Sequence, residues 1–227
     1  MTTRFRQNAY WAGALFLLTF VSIPNLALYG PVLASNYMVS SGSNTTIFVG
    51  AILDMVVALA GIGTAVALFP VVKRQNESLA LGFVSSRILE AAMIFAGVMF
   101  LLSVVSLRQS GAGAGGLVTA HTLVALYDQS LLVGQSFMPA VNALLLGTLL
   151  YRSRLVPRVL PLIGFAGAAL LVTSDVAKLF ELLPPISTAV VLSALPIAVW
   201  EFSLGWWLLL KGFNQSPAIA PETVRAA

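Results

Sequence analysis

The sequence contains no cysteine and a single histidine, and these two scarcities exclude several kinds of site. Without cysteine there is no disulfide, no thiolate metal site and no cysteine nucleophile. A zinc site built from several histidines and bis-histidine haem ligation are excluded as well, and no cofactor is expected. His121, with Asp128 and a further carboxylate, remains a weak candidate for a metal site.

Charge is also scarce, because charged residues make up 9% of the 227 residues, whereas about 25% is usual in a soluble domain. Hydrophobic residues account for 59%, and the mean hydropathy is +0.94. A soluble fold has no means of burying so much apolar surface. The composition therefore predicts an all-α fold, a polytopic bundle of transmembrane helices surrounded by membrane lipid.

The few basic residues give a net charge of +4 and a pI near 9.8. They are scattered at the ends of apolar segments instead of forming a patch, so no nucleic-acid partner is expected. In the predicted topology the basic residues of the loops and termini fall on one side, and the opposite loops carry only Arg108. The positive-inside rule then predicts that both termini are cytoplasmic.

Six apolar segments are long enough to cross a bilayer, for which a helix needs about 20 residues. They are predicted at residues 8–32, 46–72, 79–107, 119–151, 159–181 and 187–211, within one transmembrane domain over 1–213. Asn44 or Thr45, and Ser187, are predicted N-caps. Residues 214–227, with Pro217 and Pro221, are predicted to form a disordered cytoplasmic tail.

The first segment has an alternative interpretation, because Arg4 and Arg6 before an apolar run resemble a cleaved secretory signal. The apolar stretch is longer than the hydrophobic region of a signal and contains Pro24 and Asn25. An uncleaved first span is the preferred prediction.

Arg87 and Glu90 are the most costly residues of the third segment, since a charge at the centre of a membrane helix costs roughly 2.5–3.5 kcal/mol on insertion scales. Both are therefore predicted to face the interior of the bundle, and Glu201 in the sixth segment is the natural third member of the group. One interpretation is a binding site on a transport path. The other is a buried salt bridge that fixes the register of the helices.

The fourth segment carries four polar residues at seven-residue intervals, and an ideal helix places such residues on one face. They are His121, Asp128, Gln135 and Asn142. This face is either the wall of a cavity or a seam of hydrogen bonds to neighbouring helices.

Depth estimates at 1.5 Å per residue place Asp54, Asp128 and Asp175 in the outer leaflet, above Arg87, Glu90 and Glu201. Together these residues predict a funnel that opens outward. Asp175, Lys178 and Glu181 are spaced for a ladder of ion pairs along one helix, with a snorkelling pair at the interface as the alternative.

Three stretches resemble a bacterial family of multipass proteins known as domain of unknown function 4386. They are Arg87-Ile-Leu-Glu-Ala-Ala92, Leu150-Tyr-Arg-Ser-Arg-Leu-Val-Pro-Arg158 and Trp207-Leu-Leu-Leu-Lys-Gly-Phe213. The resemblance implies a protein of the bacterial plasma membrane with this number of helices. The resemblance implies no catalytic residues.

The leading functional hypothesis is binding or translocation of a small solute or ion. Arg87, Glu90 and Glu201 form the base of the predicted pocket; Asp128, Gln135 and Asn142 its wall; and Asp54 and Asp175 its outer part. The second hypothesis is a non-catalytic membrane subunit or regulator that packs against a second copy or another membrane protein. A membrane-embedded hydrolase or metal enzyme using His121 is the third.

Overall fold

The structure is a computed structural model that describes residues 3–184 and 187–215. Within these ranges the chain consists of helices and connections without a β-strand, which confirms the predicted all-α polytopic bundle. The α-helices are α1 (Thr3–Leu18), α2 (Asn25–Leu33), α3 (Thr45–Val72), α4 (Glu77–Gln109), α5 (Leu117–Ser130), α6 (Met138–Ser153), α7 (Val159–Leu179) and α8 (Thr188–Leu210). Short 3₁₀ turns cover Thr19–Ser22, Tyr37–Val39 and Gly113–Gly116, and a π-helix covers Leu131–Phe137.

Five helical stretches of the described chain are long and apolar enough to cross a membrane: α3, α4, the run Gly113–Ser153, α7 and α8. A sixth span is present if α1 and α2, which are bent by 43°, count as one crossing. The first predicted segment is thus bent instead of being one straight helix. Pro24 lies at the break, where it has no backbone N–H to continue the hydrogen-bond ladder.

The spans form a closed ring in chain order. Each span packs against the next one along the chain, and α8 returns to pack against α1. Phe16, Phe83, Leu146 and Trp200 are fully buried inside this ring. The outer surface is apolar, as the membrane prediction requires, because lipid takes the place of water around it.

The ends of the helices follow local capping chemistry. Ser187 caps α8 as predicted, with its side chain accepting a hydrogen bond from the backbone N–H of Val190 at 3.3 Å. Asn44 precedes α3 but makes no side-chain cap bond. Its Oδ1 instead accepts hydrogen bonds from the Tyr37 hydroxyl, at 2.7 Å, and from Arg108. The Arg108 guanidinium also lies 4.1 Å from the centre of the Tyr37 ring. Arg108 therefore holds the loop before α3.

Most of the basic residues lie at the other end of the bundle. The Arg74 guanidinium, just after α3, lies 4.9 Å from the centre of the Phe5 ring in α1. Asn214, after α8, donates from its backbone N–H to the carbonyl of Leu155 at 2.7 Å, which joins it to the connection between α6 and α7. These contacts gather the basic residues of four segment ends, as the predicted topology requires. We call this the basic end.

Asn214 is the first residue of the predicted tail. Its hydrogen bond to Leu155 joins it to the bundle. Residues 216–227, including Pro217 and Pro221, lie outside the described residues.

Candidate functional site

Arg87 joins α4 to α8 across the interior of the ring. Its Nη1 donates to Glu90 Oε2 at 2.9 Å, and its Nη2 donates to Glu201 Oε1 at 2.8 Å. The exposed fraction of the side chain is 3% for Arg87, 12% for Glu90 and 15% for Glu201. The three residues that the sequence groups together therefore form one ion triad, in which the cation is sealed and the carboxylates are partly accessible.

Polar residues of α4 and α6 support this triad. Asn142 donates from Nδ2 to Glu90 Oε2 at 2.7 Å, and the Ser86 hydroxyl donates to Asn142 Oδ1. Glu90 Oε2 thus accepts from both Arg87 and Asn142. Because hydrogen bonds to a charged group are stronger than neutral ones, these two bonds fix the Glu90 carboxylate.

Two aromatic rings complete the setting of Arg87. The guanidinium carbon lies 5.4 Å from the centre of the Phe16 ring and 5.8 Å from that of Phe83. These rings attract the cation through their quadrupoles. Nε of Arg87 is buried without a partner, so the guanidinium uses its two terminal nitrogens for all of its hydrogen bonds.

A cavity of about 270 Å³ reaches the triad from within the ring. Arg87, Glu90, Glu201 and Gln135 line it, so four of the predicted site residues border one space. Arg87 lies ten residues from the basic end of α4 and Glu201 nine from that of α8, or about 15 Å. The cavity extends roughly 10 Å further from that end, to the level of Ala194.

Three residues that line this cavity are exposed, and we take them as its rim: Ile23, Gln135 and Ala194. They belong to the break between α1 and α2, to the π-helix and to α8. Two of these elements depart from regular α-helical geometry, which is where membrane helices commonly border a binding space.

The polar face predicted for the fourth span does not line a single cavity. His121 and Asp128 border a second cavity of about 240 Å³, beside Val32 and Tyr37, whereas Gln135 borders the cavity of the triad. A π-helix lies between Asp128 and Gln135, and its wider turn changes the angle between successive side chains. Asp128 therefore does not lie with Arg87, Glu90 and Glu201.

Asp175 lies beside the cavity and does not line it. Its Oδ1 accepts a hydrogen bond from the Ser136 hydroxyl at 2.6 Å and an ion pair from Lys178 Nζ at 2.7 Å. Glu181 makes no ion pair within the described residues, because α7 ends at Leu179 and Glu181 adopts a left-handed backbone conformation. The predicted ladder is thus a single pair.

Asp54 has its own partners, which the sequence prediction missed. It accepts hydrogen bonds from the side-chain amide of Asn25 and from the Tyr29 hydroxyl, the latter at 2.8 Å. No cation pairs with it in the described part of the chain. Asp54 and Asn25 are buried between α2 and α3, and neither borders the cavity of the triad.

The other residues that the prediction missed are Ser86 and Ser136. Serine is common in membrane helices, and no spacing distinguishes these two from serines that bond only to their own helix. Asn25 and Pro24 carried a usable signal, because a Pro-Asn pair within an apolar run marks a break where polar groups are exposed.

His121 is exposed, and no group of three or more histidine, aspartate or glutamate side chains that could hold a metal ion is found in residues 3–184 and 187–215.

The comparisons with known proteins extend the sequence resemblance. The family model described as Domain of unknown function (DUF4386) matches residues 11–212, nearly the whole chain. Searches of curated proteins and of solved structures found no match.

Proposed function

We propose that this chain, which belongs to the DUF4386 family, binds a small solute or ion in the cavity above the Arg87–Glu90–Glu201 triad and carries it across the membrane. The observation behind the proposal is that the cavity ends on these charged side chains instead of being closed off from them by apolar residues. A salt bridge that serves only to fix helix register gains nothing from an access route.

The proposed setting is the plasma membrane of a bacterium, with both termini in the cytoplasm. The basic end carries arginine and lysine from four segment ends, and positive residues near helix ends favour the cytoplasmic side. The cavity extends away from that end, so its rim faces outward in this orientation.

The break between α1 and α2 offers a means of movement. Discontinuous membrane helices form the substrate sites of many transporters, because their broken ends present polar backbone groups, and access alternates as parts of the bundle move around that site. Thr19 and Ser22 of this break border the cavity, as does Glu201 of α8. Movement of α2 about this break, with α1 packed against α8, would then open and close the route to the triad.

The test is a substitution that fills the rim and leaves the triad intact. Ala194 lines the cavity and is exposed, so Ala194→Trp is expected to obstruct entry at little cost in stability. Leu195→Trp is the matched control, since Leu195 is 49% exposed and does not line the cavity.

Purified protein is screened by thermal shift against a panel of cations, anions and neutral solutes, and hits are tested for uptake into proteoliposomes. We expect a hit that loses both stabilisation and uptake in Ala194→Trp and keeps both in Leu195→Trp. A hit unaffected by Ala194→Trp would place binding elsewhere and contradict the proposal.

The alternative function, a membrane subunit that acts through a partner, draws on a different observation. Only 22% of the most apolar part of α8 is buried inside the bundle. The corresponding share is 39–44% in α3, α4, the run Gly113–Ser153 and α7. The α8 helix therefore has an ample face for a second copy of the chain or for another membrane protein. In that case Leu195→Trp, and not Ala194→Trp, is the variant that disturbs assembly, as measured by the mass of the detergent-solubilised complex.

A further inference from the structure

The charged end of the cavity has spare carboxylate acceptors, whereas its one cation already pairs with two carboxylates. Both terminal nitrogens of Arg87 donate to carboxylates, and its Nε is buried and reaches nothing. Glu90 uses Oε2 for both of its hydrogen bonds, and Glu201 uses Oε1 for its one. Glu90 Oε1 and Glu201 Oε2 therefore have no partner.

These two free oxygens are accessible and not buried. Both glutamates line the cavity, with 12% and 15% of their side chains exposed, and neither free oxygen is among the buried atoms that lack a partner. The cavity consequently meets carboxylate oxygens at its polar end, whereas the Arg87 side chain is only 3% exposed and already pairs with both carboxylates.

The net formal charge at this end of the cavity is also negative. One guanidinium and two carboxylates sum to −1, and the other described residues that line the cavity are uncharged. Asp175 and Lys178, which contact the lining residue Ser136, form a pair that sums to zero. An excess negative charge at membrane depth is costly, so this end of the cavity favours a ligand with one positive charge.

The remainder of the lining is mostly apolar, with Val57, Ile94, Leu171 and Ile197 among its residues. The volume of about 270 Å³ is near the lower limit of small-molecule pockets, which is about 300 Å³. A bare metal ion would leave these apolar walls without a partner. A short hydrocarbon body fills them.

We propose that the ligand of this cavity is a small primary amine in its ammonium form, with the N–H donors on Glu90 Oε1 and Glu201 Oε2 and a short hydrocarbon chain against the apolar walls. This inference rests on the proposed binding function and adds the chemical class of the ligand. Arg87 acts as the positioning residue, because it holds both carboxylates without neutralising the pair.

The experiment compares three probes of similar shape and different charge: n-butylamine, n-butanol and sodium butyrate. Binding to the purified full chain in detergent is measured by calorimetry, with the Ala194→Trp variant as the baseline for partition into micelles. We expect butylamine alone to bind above that baseline.

Glu201→Gln and Glu90→Gln each remove one negative charge and keep the shape of the side chain, so we expect each to weaken butylamine binding at least tenfold. Glu77→Gln is the matched control, because Glu77 is an exposed carboxylate at the start of α4. Thermal unfolding without ligand identifies a variant that has lost its fold. If one glutamate variant is unfolded, butylamine binding to the other glutamate variant is the test.

The two levels of the hypothesis fail in distinguishable ways. Binding of butanol or butyrate above the Ala194→Trp baseline, sodium chloride binding without butylamine binding, or butylamine binding unchanged in both glutamate variants overturns the amine class and leaves a binding cavity. If no member of the broader solute panel binds, the binding function itself is wrong.

Discussion

Arg87 is the residue on which the interior of the bundle depends most. It is the only cation that contacts Glu90 and Glu201 in the described chain, and its side chain is 3% exposed. Removing one member of a buried ionic group is more damaging than removing the whole group, because the remaining charge has neither water nor a partner.

We therefore expect Arg87→Met to lower the free energy of unfolding by about 3–5 kcal/mol. Adding Glu90→Gln and Glu201→Gln to Arg87→Met should recover more than half of this loss, since the orphaned charges disappear. Chemical unfolding in mixed micelles measures both changes.

Arg152→Met is the matched control, because Arg152 is exposed at the end of α6 and should tolerate the substitution. If the triple variant is no more stable than Arg87→Met, the charge argument is wrong and the loss comes from packing.

At the scale of elements, the bundle closes through unusually close helix contacts. A Cβ atom added at Gly13 of α1 would lie 2.6 Å from the backbone carbonyl oxygen of Gly205 and 2.6 Å from the backbone nitrogen of Leu209, both in α8. Both neighbours are backbone atoms, so a side-chain rotation does not relieve the overlap. Gly13 therefore sets the distance between the first and last spans.

We expect Gly13→Ala to separate α1 from α8 and to destabilise the protein by about 1–3 kcal/mol, the usual cost of overpacking. Gly30→Ala in α2 is the control, because a Cβ atom there meets nothing within 4 Å. Thermal unfolding of the two variants measures the difference. Equal unfolding temperatures would show that α1 and α8 have freedom to move apart.

The elements also show where sequence periodicity loses its predictive value. Along an unbroken α-helix the interval from Asp128 to Gln135 keeps two side chains on one face. A π-helix over Leu131–Phe137 lies between them and changes that angle, and the two residues border different cavities. No residue spacing in the sequence predicts this change from α-helix to π-helix.

For the whole molecule, the sidedness of the bundle follows from its basic end. The absence of cysteine makes this sidedness measurable, because a single introduced thiol is the only one in the chain. Ser78 and Gln109 are exposed at opposite ends of α4, Ser78 at the basic end.

In intact bacterial cells, we expect Gln109→Cys to react with a membrane-impermeant maleimide and Ser78→Cys to react only after permeabilisation. The physical reason is the preference of arginine and lysine for the cytoplasmic side. Gel-shift labelling provides the measurement, and labelling of both variants after permeabilisation is the control. The reverse pattern would contradict the cytoplasmic placement of the termini.

The sequence by itself determined that this protein is a bundle of membrane helices with its basic residues gathered at one end. Those properties follow from composition and segment length, since a long apolar helix has few stable environments other than lipid. It also predicted the group of Arg87, Glu90 and Glu201, because charges at membrane depth require partners and the predicted spans contain few other charged residues.

The tertiary structure alone decided which polar residues share a space. Asp54 is bonded to Asn25 and Tyr29, Asp175 to Ser136 and Lys178, and Asp128 borders the cavity of His121. A bent first span and a π-helix set these partnerships, and both depend on how helices pack around the ring. Local sequence encodes the depth of a residue in a membrane, but the direction of its side chain depends on the turns that precede it.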